Sequence, residues 1–157
     1  MPATSPSPTV RFSLKRDVIV APIDFSLVSD QILDVAREMA EQDVSRLRLI
    51  HVLTPLESLA PGMIWGEYPV DDREQKIRSH AVQFLAQRGL AGARFEIRLG
   101  QPAHEIVQFA EAEQGDLIVL ASHGYHGIKR FLLGSVAEQV LRHAHCPVLV
   151  LRRPDAD

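Results

Sequence analysis

Residues 119–152 read VLASHGYHGIKRFLLGSVAEQVLRHAHCPVLVLR. The stretch opens on the end of an apolar run, DLIVLA at 116–121, and closes on another, PVLVLR at 147–152. Between them stand Gly124, Gly127 and Gly134, three of the chain's nine glycines, followed by a helical pattern from about Gly134 to Ala144. Continuous apolar runs of strand length suit strands buried on both faces, as in a parallel sheet. Glycine is costly inside helices and strands, so glycines gathered between two elements serve a backbone that turns sharply or approaches something closely. The stretch therefore reads as strand, loop, helix, strand. It leaves open what the loop approaches, because the lysine of a phosphate-binding P-loop is absent.

The rest of the chain repeats this alternation. Residues 17–21, DVIVA, predict a buried strand that runs into the loop PIDFS. Ser29 is a candidate cap for a helix whose apolar face is Ile32, Val35, Ala36, Met39 and Ala40. RLRLIHVL, 46–53, sets Leu47, Leu49 and His51 against Arg46, Arg48 and Ile50, which predicts a strand. Residues 71–89 predict a helix with Ile77, Ala81, Phe84 and Leu85 inward, acids in its first turn, and Arg88 then Gly89 at its end. ARFEIRL, 93–99, alternates like a strand. Gly100 and Pro102 start a helix with Ile106, Val107 and Ala110 inward, and Gly115 ends it. Such alternation favours one parallel sheet with helices on both faces and right-handed crossovers. One segment stands apart: TPLESLAPGMIWGEYPV, 54–70, is long for a loop and rich in apolar side chains, Trp65 among them. It packs on the body, meets a partner, or covers a ligand as a lid.

The bulk numbers narrow the field. At 157 residues the chain fits one domain, and a 46% hydrophobic content supplies a core. A net charge of −3 gives no electrostatic argument for nucleic acid. Apolar runs are too short to span a membrane. Residues 1–16, rich in Pro and Ser, read as a disordered arm without a signal-peptide core, leaving 17–153 as the folded domain. The single cysteine, Cys146, allows no internal disulfide, and a cytoplasmic location is expected. Cys146 itself reads as a small, partly buried residue entering a strand.

In open α/β sheets ligands bind at the carboxyl ends of the strands, where strand order reverses. Two strand ends carry the candidates. The first offers Pro22 and Asp24, and the fourth offers the glycine loop. If these strands are neighbours, Asp24 can accept bonds from sugar hydroxyls or hold a metal. The loop and the helix N-terminus at Gly134 can then offer N–H groups to phosphate oxygens. Plainer readings stand beside these. Asp24 can simply cap the turn before Ser29. Ser135 and Glu138 have capping-box spacing, in which Ser135 bonds its own helix. Lys129 and Arg130 either neutralise phosphate or form a solvated pair. His51 reads as a satisfied core histidine. His143, His145 and Cys146 match no zinc pattern. No G-x-x-x-x-G-K-[ST], no G-x-G-x-x-G after the first strand and no G-x-S-x-G elbow is present.

VIVAPIDFS, LRLIHVL, GDLIVLASHG and FLLGSVAEQVLRHAHCPVLVLR resemble, in order and spacing, the universal stress protein family. The resemblance covers nearly everything after Lys15. Its most specific part is the motif of the ATP-binding branch: glycine, two residues, glycine, nine residues, then glycine with Ser or Thr. Gly124, Gly134 and Ser135 match, and the first glycine falls on Ala121. If that position needs a positive φ, alanine costs on the order of 1–2 kcal/mol. If it needs only close approach, the cost is one methyl.

The resemblance implies a Rossmann-like fold, an open five-stranded parallel sheet in the order 3-2-1-4-5, which makes the first and fourth strands neighbours. It implies that Asp24, beside Pro22, contacts ribose or metal, and that the backbone of Val52 recognises adenine. Leu120 and Ala121 would line the nucleotide, and Gly124, Gly134, Ser135 and Val136 would hold its phosphates. The implied ligand is ATP or AMP, with Mg or Mn accompanying ATP, and the implied assembly is a homodimer through the last strand, 147–152. On this reading the chain is a nucleotide-sensitive stress-response or signalling module with no catalytic residues. The alternatives are a slow ATP hydrolase and a member acting through protein contacts alone.

Overall fold

The computed structural model describes residues 17–55, 70–122 and 133–152. Within them strands and helices alternate: β1 (Ile19–Pro22), α1 (Leu27–Met39), β2 (Leu47–Leu53), α2 (Val70–Gln87), β3 (Arg94–Leu99), α3 (Pro102–Ala112), β4 (Leu117–Ala121), α4 (Ser135–His143) and β5 (Val148–Leu151). The strands form one parallel sheet in the order β3-β2-β1-β4-β5, as expected. The 1–16 arm, the 56–69 segment with Trp65, and the loop residues Gly124, Gly127, Lys129 and Arg130 lie outside the described residues. No helix among the described residues is long and apolar enough to cross a membrane.

Strand periodicity builds two cores, because successive side chains point to opposite faces. Ile19, Ala21, Leu47 and Leu49 meet Leu33 and Ala36 of α1 and Phe84 and Leu85 of α2 on one face. Val20, Ile50 and Ile118 meet Ile106 and Phe109 of α3 and Val140 of α4 on the other. Gly115, just before β4, packs closely against β1 and the end of α3. A Cβ there would lie 2.7 Å from Val20 Cγ2 and 3.2 Å from Ala110 O.

Two caps differ from expectation. Ser26, not Ser29, caps α1: its side chain accepts from Val28 N–H. Ser29 lies inside the first turn and is fully buried. At α4 the cap is Gly134, with no side-chain cap bond, and Glu138 pairs with Arg142 instead of closing a capping box. The α2 terminus follows the sequence closely, with Gly89 left-handed at φ 67° and Leu90 N–H bonded back to Leu85 O.

Ion pairs secure the N-terminal ends of the strands. Glu113, after α3, takes Arg48 Nε at 2.9 Å on one oxygen and Arg94 at 2.9 Å on the other. Asp116 accepts the N–H groups of Asp17 and Val18. The C-terminal ends of the strands carry the candidate site.

Candidate functional site

β1 is the point where strand order reverses, since β2 lies on one side of it and β4 on the other. A crevice of about 820 Å³ opens at the C-terminal ends of these strands. Its walls include Pro22, Asp24, Val52, Leu120, Ala121, Gly134, Ser135 and Val136, which brings together every candidate site residue except Gly124. Gly124 lies outside the described residues.

Pro22 helps to open the crevice. Even-numbered residues of β1 face β4, as the bond from Asp116 N–H to Val18 O indicates. Pro22 is the next such residue after Val20, and it has no N–H to give. The β1–β4 pairing stops at Val20 opposite Ile118, whereas the β1–β2 pairing runs on to Pro22 opposite Ile50.

Asp24 sits where β1 has ended. Its Oδ1 accepts the Ser26 N–H at 3.0 Å, the Ser26 hydroxyl at 2.5 Å and the Ser29 hydroxyl at 2.8 Å. All three of these bonds end on the same oxygen. Burial pushes its pKa up, but the bonds from Ser26 and Ser29 push it down by more, so Asp24 titrates below its ordinary 3.8. Capping the turn and lining the crevice are thus compatible: all three of these bonds use Oδ1, and Asp24 also lines the crevice.

Phe25 makes this turn possible. It adopts a left-handed backbone, φ 62°, which costs a bulky L-residue about 1–2 kcal/mol. Ring contacts offset the cost. Phe25 meets His51 at 4.9 Å, His80 at 5.0 Å and Phe84 at 5.3 Å between centroids. His51 is half-buried, and its Nδ1 lies 2.8 Å from Ile23 O. Burial lowers its pKa against the opposing influence of that carbonyl and of Asp24, which favours a neutral imidazole with the proton on Nδ1.

The opposite wall is built from β4 and α4. Ala121 is an ordinary strand residue with negative φ, so alanine in place of the motif's first glycine carries no backbone strain. What remains is the methyl. Gly134 gives its N–H to Ser122 O at 2.7 Å, which commits that donor to the fold. The Gly134 carbonyl accepts from Glu138 N–H, and the first three N–H groups of α4, at Ser135, Val136 and Ala137, have no partner within the helix. They form an anion-attracting terminus at the mouth of the crevice. Besides these polar groups, Val52, Pro102, Ile106 and Leu120 give the crevice apolar lining.

A divalent cation fits this site only alongside phosphate. No three His, Cys, Asp or Glu side chains among the described residues converge as a metal cage. Asp24 offers one carboxylate, a number Mg²⁺ commonly takes from protein when phosphates complete its shell. Cys146 is half-buried, with its thiol pKa pushed up by burial and by Asp116.

Sequence reading missed Ser26, Ser29 and Phe25 as the supports of Asp24. The signal was the spacing in DFSLVS, which puts hydroxyls two and five residues after the acid.

Comparison with known proteins agrees with this architecture. The profile of the "Universal stress protein family" matches residues 15–152. The chain is similar to Universal stress protein MJ0531 of Methanocaldococcus jannaschii, 36% identical over 141 residues, covering 87% of this chain and 82% of that one. It is also similar to Universal stress protein YxiE of Bacillus subtilis, 30% identical over 141 residues, with 83% and 95% covered. Among solved structures, MJ0577 of Methanocaldococcus jannaschii superposes with a TM-score of 0.65 at 26% identity, over 90% of this chain and 99% of that one.

Proposed function

The chain belongs to the universal stress protein family, and from that premise we propose that its crevice binds an adenine nucleotide. The observation that carries this reading is the set of groups that share one crevice. Val52 and an apolar wall, the Asp24 carboxylate and the α4 N-terminus all line it. A base, a vicinal diol and a phosphate chain present the complementary set. Asp24 accepts ribose hydroxyls, and the N–H groups of Ser135 and Val136 face phosphate, with the glycine loop around Gly124 completing the cradle. Gly134 acts by close approach, since its own N–H is engaged. The spacing of Gly124, Gly134 and Ser135 supports the same ligand. ATP and AMP both suit the set, with Mg or Mn entering alongside ATP.

On this reading the protein is a stress-response or signalling module of the cytoplasm, in which nucleotide binding biases a homodimer paired through β5. Calorimetry with ATP and AMP tests the ligand. Gly124→Val should abolish binding while leaving the circular dichroism spectrum and unfolding midpoint in place. Binding as tight as wild type would reject the loop's role.

A further inference from the structure

Ile23 lies one step beyond the last paired position of β1 and β2, Pro22 opposite Ile50. Its N–H still follows the ladder and bonds Ile50 O at 2.9 Å. In a parallel pair the next bond would run from Val52 N–H to Ile23 O. Ile23 O instead faces His51 Nδ1 at 2.8 Å. His51 is held there by the ring of Phe25, whose left-handed backbone follows two residues after Ile23. The consequence falls on Val52. Like Ile50, it directs both its N–H and its C=O toward β1, but β1 has ended, and Val52 lines the crevice.

A donor and an acceptor from one residue suit the edge of a 6-aminopurine. The amino group of adenine donates to the carbonyl, and the adjacent ring nitrogen accepts from the N–H. A 6-oxopurine presents the reverse, a carbonyl beside a ring N–H, and meets both groups with like polarity. We propose that His51 is the positioning residue for base recognition: by capturing the Ile23 carbonyl it frees Val52 N–H for the ring nitrogen of a 6-aminopurine. This rests on the nucleotide reading above and assigns its base selectivity to the His51 side chain, which precedes Val52 on β2.

The test combines amide hydrogen exchange by NMR with calorimetric titration of AMP and IMP, on the full chain and on His51→Leu. In the wild type, Val52 should exchange about a hundredfold faster than Ile50, whose N–H lies in the ladder. AMP should bind at least about tenfold more tightly than IMP, because an unmatched hydrogen-bonding edge is penalised. In His51→Leu the carbonyl returns to the ladder, Val52 exchange slows about tenfold, and the AMP preference collapses. A wild-type Val52 as protected as Ile50 overturns the proposal. So does a His51→Leu protein with unchanged Val52 exchange and unchanged preference. If neither nucleotide binds the wild type, the ligand reading fails, and the exchange rates alone decide what His51 does. If His51→Leu does not fold, the wild-type comparison of the two amides decides.

Discussion

Asp24 and Ser29 hold each other twice: Asp24 N–H donates to Ser29 Oγ at 3.0 Å, and Ser29 Oγ–H donates to Asp24 Oδ1 at 2.8 Å. Ser29 is fully buried, so its hydroxyl has no water to turn to if the pair is broken. Ser29→Ala should cost about 1–3 kcal/mol in urea unfolding, because Asp24 N–H loses its acceptor. It should also raise the pKa of Asp24. The folded-state value is depressed, so Asp24 stabilises the protein above its ordinary 3.8 and loses that contribution as pH falls through the lower folded value. The variant should therefore show a smaller loss of stability on acidification below pH 4 than wild type, read from urea midpoints against pH.

Pro22→Ala returns an N–H to the face of β1 that looks toward β4. The ladder can then extend past Val20, gaining about 0.5–1.5 kcal/mol from one bond while narrowing the crevice. AMP affinity should fall while stability holds or rises. A Pro22→Ala variant that binds as well as wild type would show that the proline has no part in opening the cleft.

Gly115→Ala places a methyl 2.7 Å from Val20 Cγ2, in the core shared by α3 and β1. Relief requires moving β4 or α3, at a cost of about 1–3 kcal/mol. The midpoint of thermal unfolding should drop accordingly, with the nucleotide affinity of the folded protein nearly unchanged.

The two sheet edges are unlike. β3 carries Arg94, Glu96 and Arg98, which discourage a second chain, whereas β5 presents Val148, Leu149, Val150 and Leu151. Two-fold pairing of β5 with its own copy would be antiparallel and closed. Val150→Pro should remove ladder donors and shift the protein toward monomer, as light scattering at micromolar concentration would register. A wild type that is monomeric there would remove this interface.

ATP turnover should lie well below the enzyme median of about 10 s⁻¹. Among the described residues lining the crevice only Asp24 and His51 titrate near neutrality or below. Asp24 is weakened as a base by its hydrogen bonds, and His51 has its Nδ1 proton engaged. A single-turnover assay with labelled ATP on protein free of contaminating ATPase would measure it.

The alternation of strands and helices was legible because each element carries its own period, and β2, α3 and β4 fall close to where their apolar patterns put them. The crevice residues Pro22 and Asp24 were legible from their place after a buried strand. The caps were less so. DFSLVS contains two serines that both suit a helix start, and only the left-handed Phe25 decides between them. That conformation depends on rings from β2 and α2, which are remote in sequence, and no local rule anticipates an aromatic residue there. Likewise the engagement of Gly134 N–H by Ser122 O depends on how the ends of the loop meet, which spacing alone does not encode.

That same bond has an evolutionary consequence. By tying Gly134 to Ser122, the fold pinches the chain at both ends of residues 123–133, so β4 and α4 are fixed independently of what lies between. Closure entropy grows slowly with length, and doubling such a loop costs only about 0.6 kcal/mol. If this segment contacts the nucleotide as proposed, it is a replaceable cassette, and a protein of this build can acquire a new ligand preference or shed an old one by swapping it without renegotiating the scaffold beneath.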